Sequence, residues 1–194
     1  PTDPRRTPES IKEFLDTLAI EKVYLFGMSM GGSVALRFGT QHPHRIVKIA
    51  AQGAPIYGKD LLKIHPVLLA YQKSLQANRA LALYSMALTL DWCKIGVSIR
   101  PKFLLRIFRH VAHIREIEIV SKETLEIVRQ DLRDARTRAI AEATASLLEL
   151  DLRKELRQFT IPALILDGET AQSGLASAPH IISLIPPHLS RAHS

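Results

Sequence analysis

One short stretch constrains this chain more than any other: Gly27-Met28-Ser29-Met30-Gly31-Gly32, set between an apolar run and a helical one. The run before it, Lys22-Val23-Tyr24-Leu25-Phe26, is too short for a helix and rich in strand formers, so it reads as a buried strand. After it, Val34, Ala35 and Phe38 fall in helical register between Ser33 and Thr40, and Pro43 closes the segment. A chain that passes from strand to helix in so few residues must turn sharply, and glycines let backbone approach backbone there. Upstream, Ile11, Phe14, Leu15 and Leu18 repeat at helical spacing. Ser10 with Glu13 three residues on predicts a capped helix start at Ser10. Downstream, Arg45 to Ala50 reads as the next strand, ended by Gly53 and Pro55. Helix, strand, helix, strand with short connections predicts an α/β fold with a parallel sheet under covering helices.

From Tyr57 to about Glu155 the texture changes, because strand-like runs vanish and Leu, Ala and Arg recur at helical spacing. Ala80 to Ile99 is the longest apolar stretch, but Asp91 and Lys94 interrupt it, which argues against a membrane span of about 20 apolar residues and for a buried helix pair. Pro101 suits a first helical turn, followed by an apolar face that includes Phe103, Ile107, Phe108 and Ile114. A further helix is predicted from Leu132 to Leu148, with Ala135, Ala139, Ala143 and Leu147 down one side. Strand character returns at Phe159 to Leu166, running into Asp167-Gly168-Glu169, and a short helix from His180 to Leu184 ends at Pro186-Pro187. The predicted divisions are therefore 1–56, 57–155 and 156–194.

Composition narrows the class. With 194 residues, 46% hydrophobic and 23% charged, the chain can bury a core and is not disordered. A lone cysteine, Cys93, excludes an internal disulfide framework and makes a reducing, cytoplasmic setting the expectation. Pro1 to Ser10 is polar and proline-rich with no apolar segment behind it, unlike a secretory signal. The net charge is +7, and residues 57–155 hold 17 basic and 12 acidic side chains, so most of the excess lies in the helical stretch. Lys94, Arg100, Lys102, Arg106, Arg109 and Arg115 concentrate it. They read as a solvated helix face, with an anionic membrane surface or an acidic substrate as the alternative. No nucleic-acid motif accompanies the charge. His110 and His113 are three apart without a completing ligand cluster, so no metal is expected. Neither a dinucleotide glycine pattern nor a P-loop is present, and no cofactor is expected.

Gly27-Met28-Ser29-Met30-Gly31 also matches G-x-S-x-G, a spacing that lets a strained strand-to-helix turn lift a serine hydroxyl above a sheet. With a strand before it and a helix after it, the chain resembles the α/β-hydrolase family over Glu9 to Pro55 and again over Asp151 to Pro187. The resemblance implies a partial α/β-hydrolase parallel sheet with an inserted all-helical cap at 57–155. It makes Ser29 the nucleophile and the Met30 backbone N–H an oxyanion donor.

The family's acid stands three residues after the turn glycine, where this chain has Ala171. Glu169 is taken as the acid in its place, with Asp167 close by, against the reading of both as solvated loop carboxylates. A second family position, after the strand that follows the helix behind Ser29, holds Gln52, with Asp60 farther on. His180, His188 and His193 follow in the right chain order but read as surface histidines. The base is expected beyond Ser194, and the strands and His-Gly loop expected before the first helix do not precede Pro1. The resemblance therefore implies a fragment with an uncovered sheet edge, inactive and poorly soluble by itself. Its parent would be a serine hydrolase acting on an ester or related acyl bond, with an apolar or acyl-bearing small-molecule substrate. The alternatives are a non-catalytic member that binds a ligand or partner, favoured by Ala171, and a membrane-surface module using the basic helix.

Overall fold

The computed structural model describes residues 7–64, 66–99, 127, 130, 131, 133–166 and 178–193. They divide into two compact units, residues 1–66 with 146–194 and residues 67–145. The predicted helix after Pro101, with its basic residues and His110 and His113, lies outside the described residues, as do Asp167, Glu169 and Ala171.

The first unit is a parallel sheet of four strands in chain order: β1 (Val23–Met28), β2 (Ile46–Gln52), β3 (Ala163–Leu166) and β4 (Ser190–His193). Helix α1 (Thr7–Thr17) precedes β1, α2 (Met30–Gln41) joins β1 to β2, α7 (Arg153–Leu156) precedes β3, and α8 (Ala178–Leu184) joins β3 to β4. A single hydrophobic cluster lies on one face of the sheet, built from Leu15, Leu36, Phe38, Ile49, Leu156, Phe159, Ile165 and Ile181 among others. Strand alternation sends Val23 and Leu25 of β1 toward this cluster. It leaves Tyr24, Phe26 and Met28 exposed on the other face. Arg45 fastens the α1–β1 turn to the head of β2. Its guanidinium donates to the Glu21 carbonyl at 2.8 Å and the Ile20 carbonyl at 2.6 Å, and pairs with Asp16. Hydrogen bonds from Lys12 and Arg45 hold the Asp16 carboxyl below its usual range.

The structure moves several predicted boundaries. Helix α1 starts at Thr7 rather than Ser10, with Pro8 buried in its first turn, where the missing N–H is no loss and the fixed φ suits the helix. Strand β4 was not predicted, because Ser190-Arg191-Ala192-His193 has no apolar alternation and owes its form to pairing with β3.

The second unit contains α4 (Pro66–Ala77), α5 (Arg79–Ile99) and most of α6 (Thr137–Leu148). Its buried residues include Tyr71, Leu75, Ala82, Ala141 and Ala145, and the Tyr71 hydroxyl donates to the Ala141 carbonyl at 3.0 Å. Asn78 caps α5, its side-chain oxygen accepting from the Leu81 N–H at 3.0 Å. The stretch predicted as a buried helix pair is one continuous helix, and many of its apolar side chains face solvent. The helix predicted from Leu132 to Leu148 is interrupted: Arg133 and Asp134 are helical, Ala135 and Arg136 break the run, and α6 continues from Thr137, burying Ala141, Ala145 and Leu148 rather than Ala135, Ala139 and Ala143. No described helix is long and apolar enough to cross a membrane.

Back in the first unit, α3 (Gly58–Ile64) follows a two-sided clamp. Tyr57 and Asp151 form an antiparallel bridge, the Gly58 N–H donates to the Leu150 carbonyl, and the Leu152 N–H donates to the Ile56 carbonyl. Arg153 lies 3.6 Å over the Tyr57 ring and grips both Asp151 oxygens. That grip depresses the Asp151 carboxyl and raises the Arg153 guanidinium.

Candidate active site

The turn between β1 and α2 holds Ser29 and Met30, the residues expected to act. Ser29 adopts φ 52° and ψ −125°, a left-handed conformation that costs a non-glycine residue about 1–3 kcal/mol. Three contacts hold it there. The Ser29 N–H donates to the Gln52 carbonyl at the end of β2 at 2.8 Å, and the Ser29 carbonyl accepts from Gly32 at 2.9 Å and Ser33 at 3.3 Å. Gly53 in turn donates to the Leu166 carbonyl at 3.0 Å, so the carboxyl ends of β1, β2 and β3 are tied in a row. Ligands of open α/β sheets bind at that edge.

Of the three glycines around the turn, two are sterically required and one is not. A Cβ on Gly27 would lie 2.2 Å from the Gly31 carbonyl oxygen, and one on Gly32 would lie 2.8 Å from the Ala54 Cβ, whereas one on Gly31 would meet nothing within 4 Å. The glycine that completes the sequence motif is thus the least constrained.

Ser29 occupies the N-cap position of α2, yet its side chain makes no capping bond and stands exposed. Its hydroxyl is left for other work. The neighbouring serine behaves oppositely: Ser33 is buried and donates its hydroxyl to the Pro55 carbonyl. With Gly32 and Ser33 turned to the Ser29 carbonyl, the Met30 and Gly31 amides precede the first intrahelical bonds. The first turn of α2 holds no acidic residue, so its positive end is uncompensated. Below Met30 runs a small, almost wholly apolar crevice lined by Met30, Ser33, Val34, Arg37, Leu147 and Leu150.

The structure brings Ser29, Met30 and Gln52 together. Sequence reasoning considered Gln52 only as an acid position; its carbonyl, which any residue could supply, is what holds the turn. The histidines stand elsewhere. His180 and His188 are exposed, on α8 and on the short turn of helix after it. His193 sits on β4 level with Leu166, which is level with Gln52, which is level with Met28. At about 4.8 Å per strand, that backbone position is on the order of 14 Å from the strand carrying Ser29. Among the described residues no group of histidine, cysteine and carboxylates is arranged to hold a metal ion.

The family model for the alpha/beta hydrolase fold matches residues 5–172, and the chain belongs to that family. A 2-hydroxy-6-oxononadienedioate/2-hydroxy-6-oxononatrienedioate hydrolase of Comamonas testosteroni is 40% identical over 58 residues, 30% of this chain and 20% of that protein. A 2-hydroxy-6-oxo-6-phenylhexa-2,4-dienoate hydrolase of Burkholderia cepacia is 36% identical over 58 residues, again 30% and 20%. Among solved structures, MenH from S. aureus superposes with a TM-score of 0.69 at 19% identity over 98% of this chain and 65% of that one. An esterase from Exiguobacterium antarcticum gives 0.65 at 18% identity over 99% and 65%. The chain thus spans less than two thirds of these structures, which share its fold.

Proposed function

We propose that this chain carries the nucleophile of a serine hydrolase that cleaves an ester or related acyl bond. The observation behind the reading is the strained, exposed and uncapped Ser29 at the strand-to-helix turn. In this reading the Ser29 hydroxyl oxygen attacks the substrate carbonyl and its proton passes to a base. The oxyanion rests on the Met30 amide; its collapse breaks the ester C–O bond and expels the alcohol, which takes the proton back from the base, and water then hydrolyses the acyl–Ser29 ester to free the acid and the serine. An apolar or acyl-bearing substrate is part of the proposal, on the Leu-, Ile- and Phe-rich composition of residues 57–155.

A general base is required, since a serine without one keeps its ordinary low reactivity. The base is left unassigned in this reading, and Glu169 remains the proposed acid. A second reading takes its substrate from the curated relatives, a 2-hydroxy-6-oxo-dienoate, in which a ketone rather than an ester carbonyl would meet the Met30 amide. A fluorophosphonate probe tests the shared step. On the protein expressed from its own gene the label is expected on the peptide containing Ser29, and absent in Ser29→Ala. No label on the parent, or a label that survives the substitution, would overturn the proposal.

A further inference from the structure

In the second unit, α5 turns a stripe of large apolar side chains to solvent: Leu81, Tyr84, Leu88, Trp92 and Ile95 are 63, 67, 44, 67 and 50% exposed. At about 100° per residue all five fall within an arc of about 80°. Single exposed apolar residues are ordinary, whereas a contiguous stripe of roughly 21 Å marks a surface that something covers.

The spacing suits a second copy of the same helix. The steps from Leu81 through Tyr84, Leu88 and Trp92 to Ile95 are 3, 4, 4 and 3 residues, a pattern that reads the same in either direction about Leu88. We propose that this face binds a second copy of the chain, α5 packing antiparallel on α5 with Leu88 on the two-fold axis. Under that operation each Leu81 lies level with the second copy's Ile95 and each Tyr84 with its Trp92. An isologous contact pairs one patch with itself, and this spacing lets apolar side chains meet apolar side chains along the whole seam. The polar rim agrees. Asp91, at the margin of the stripe, falls on the same side of the seam as the second copy's Tyr84, so a phenol hydroxyl meets a carboxylate.

The size is also adequate. The exposed parts of the five side chains amount to on the order of 500 Å² per copy, or about 1,000 Å² across both, the lower bound for a specific interface. Tyr and Trp are the residues that most often anchor such contacts. The inference does not depend on the role of Ser29.

Sedimentation of the full chain across about 1–100 μM tests it, alongside the fluorescence of Trp92, the chain's single tryptophan. A dimer is expected, with Trp92 emission shifting to the blue as it forms. Leu88→Glu sets two carboxylates on the axis and is expected to raise the dissociation constant at least about 100-fold. In a Cys93→Ser background, diamide is expected to cross-link Leu88→Cys but not Thr89→Cys, which points about 100° away. A monomer throughout the range would overturn the proposal, including one whose Trp92 is shielded from iodide because its own chain covers the face. So would a dimer indifferent to Leu88→Glu, or equal cross-linking at both positions.

Discussion

In the sheet unit, Leu36, Phe38, Ile49 and Phe159 are sealed to 2% exposure or less, while in the helical unit Leu81, Tyr84 and Trp92 stand more than 60% exposed on one helix. Both regions are rich in apolar residues. The difference is in what fixes them. Around β1 and α2 the backbone itself is in contact, so residue identity is dictated atom by atom. Along α5 only a periodic face is specified, and what covers it is a matter of tertiary or quaternary contact.

The strongest test of that contrast sets two glycines of one motif against each other. Gly27→Ala would drive a Cβ into the Gly31 carbonyl and is expected to cost about 4 kcal/mol or more, enough to unfold the sheet unit. Gly31→Ala has open space and is expected to stay within about 0.5 kcal/mol of the parent in a urea melt. Comparable losses at both positions would remove the steric account of the turn. Next in size, Phe38→Ala empties a fully buried site and is expected to cost about 3–5 kcal/mol. Val67→Ala, at a position 53% exposed in the helical unit, is expected to cost less than about 0.5 kcal/mol.

Acidification should separate the regions more gently. Asp16, held down by hydrogen bonds from Lys12 and Arg45, and Asp151, held down by Arg153, both lie in the sheet unit and both have carboxyls below the usual 3.8. A depressed carboxyl stabilises the fold fully above its unfolded value and loses that contribution as pH falls through the folded one. The thermal midpoint of the sheet unit is therefore expected to hold from about pH 5 to 8 and decline below about pH 4. Asp151→Asn should flatten part of that decline. A midpoint that rises on acidification would contradict the assigned ion pairs.

The turn at Ser29 was legible because its pattern is local: a short apolar run, glycines and a helical run can be read in sequence order. Boundaries set by partners were not. Strand β4 has no apolar signature of its own, and α5 shows that counting apolar residues reveals a helix without revealing which face is covered. Of the candidate site, the G-x-S-x-G spacing marked Ser29 and Met30, and the family resemblance gave them their expected roles. The Gln52 carbonyl that restrains Ser29 could not, because a backbone acceptor leaves no mark in the choice of residue. Nor did the sequence distinguish the glycine that completes the motif from the ones the turn requires.

The central claim is that Ser29, strained and uncommitted, is the nucleophile, while Ser33 four residues on is a structural tie. Ester turnover per folded molecule, measured on the protein expressed from its own gene, separates them. Ser29→Ala is expected to lower it by at least about 10⁴-fold with stability intact. Ser33→Ala, which leaves the Pro55 carbonyl unpaired, is expected to cost about 1–2 kcal/mol of stability and keep turnover near that of the parent. Undiminished turnover in Ser29→Ala, or an equal loss in both variants, would contradict the account.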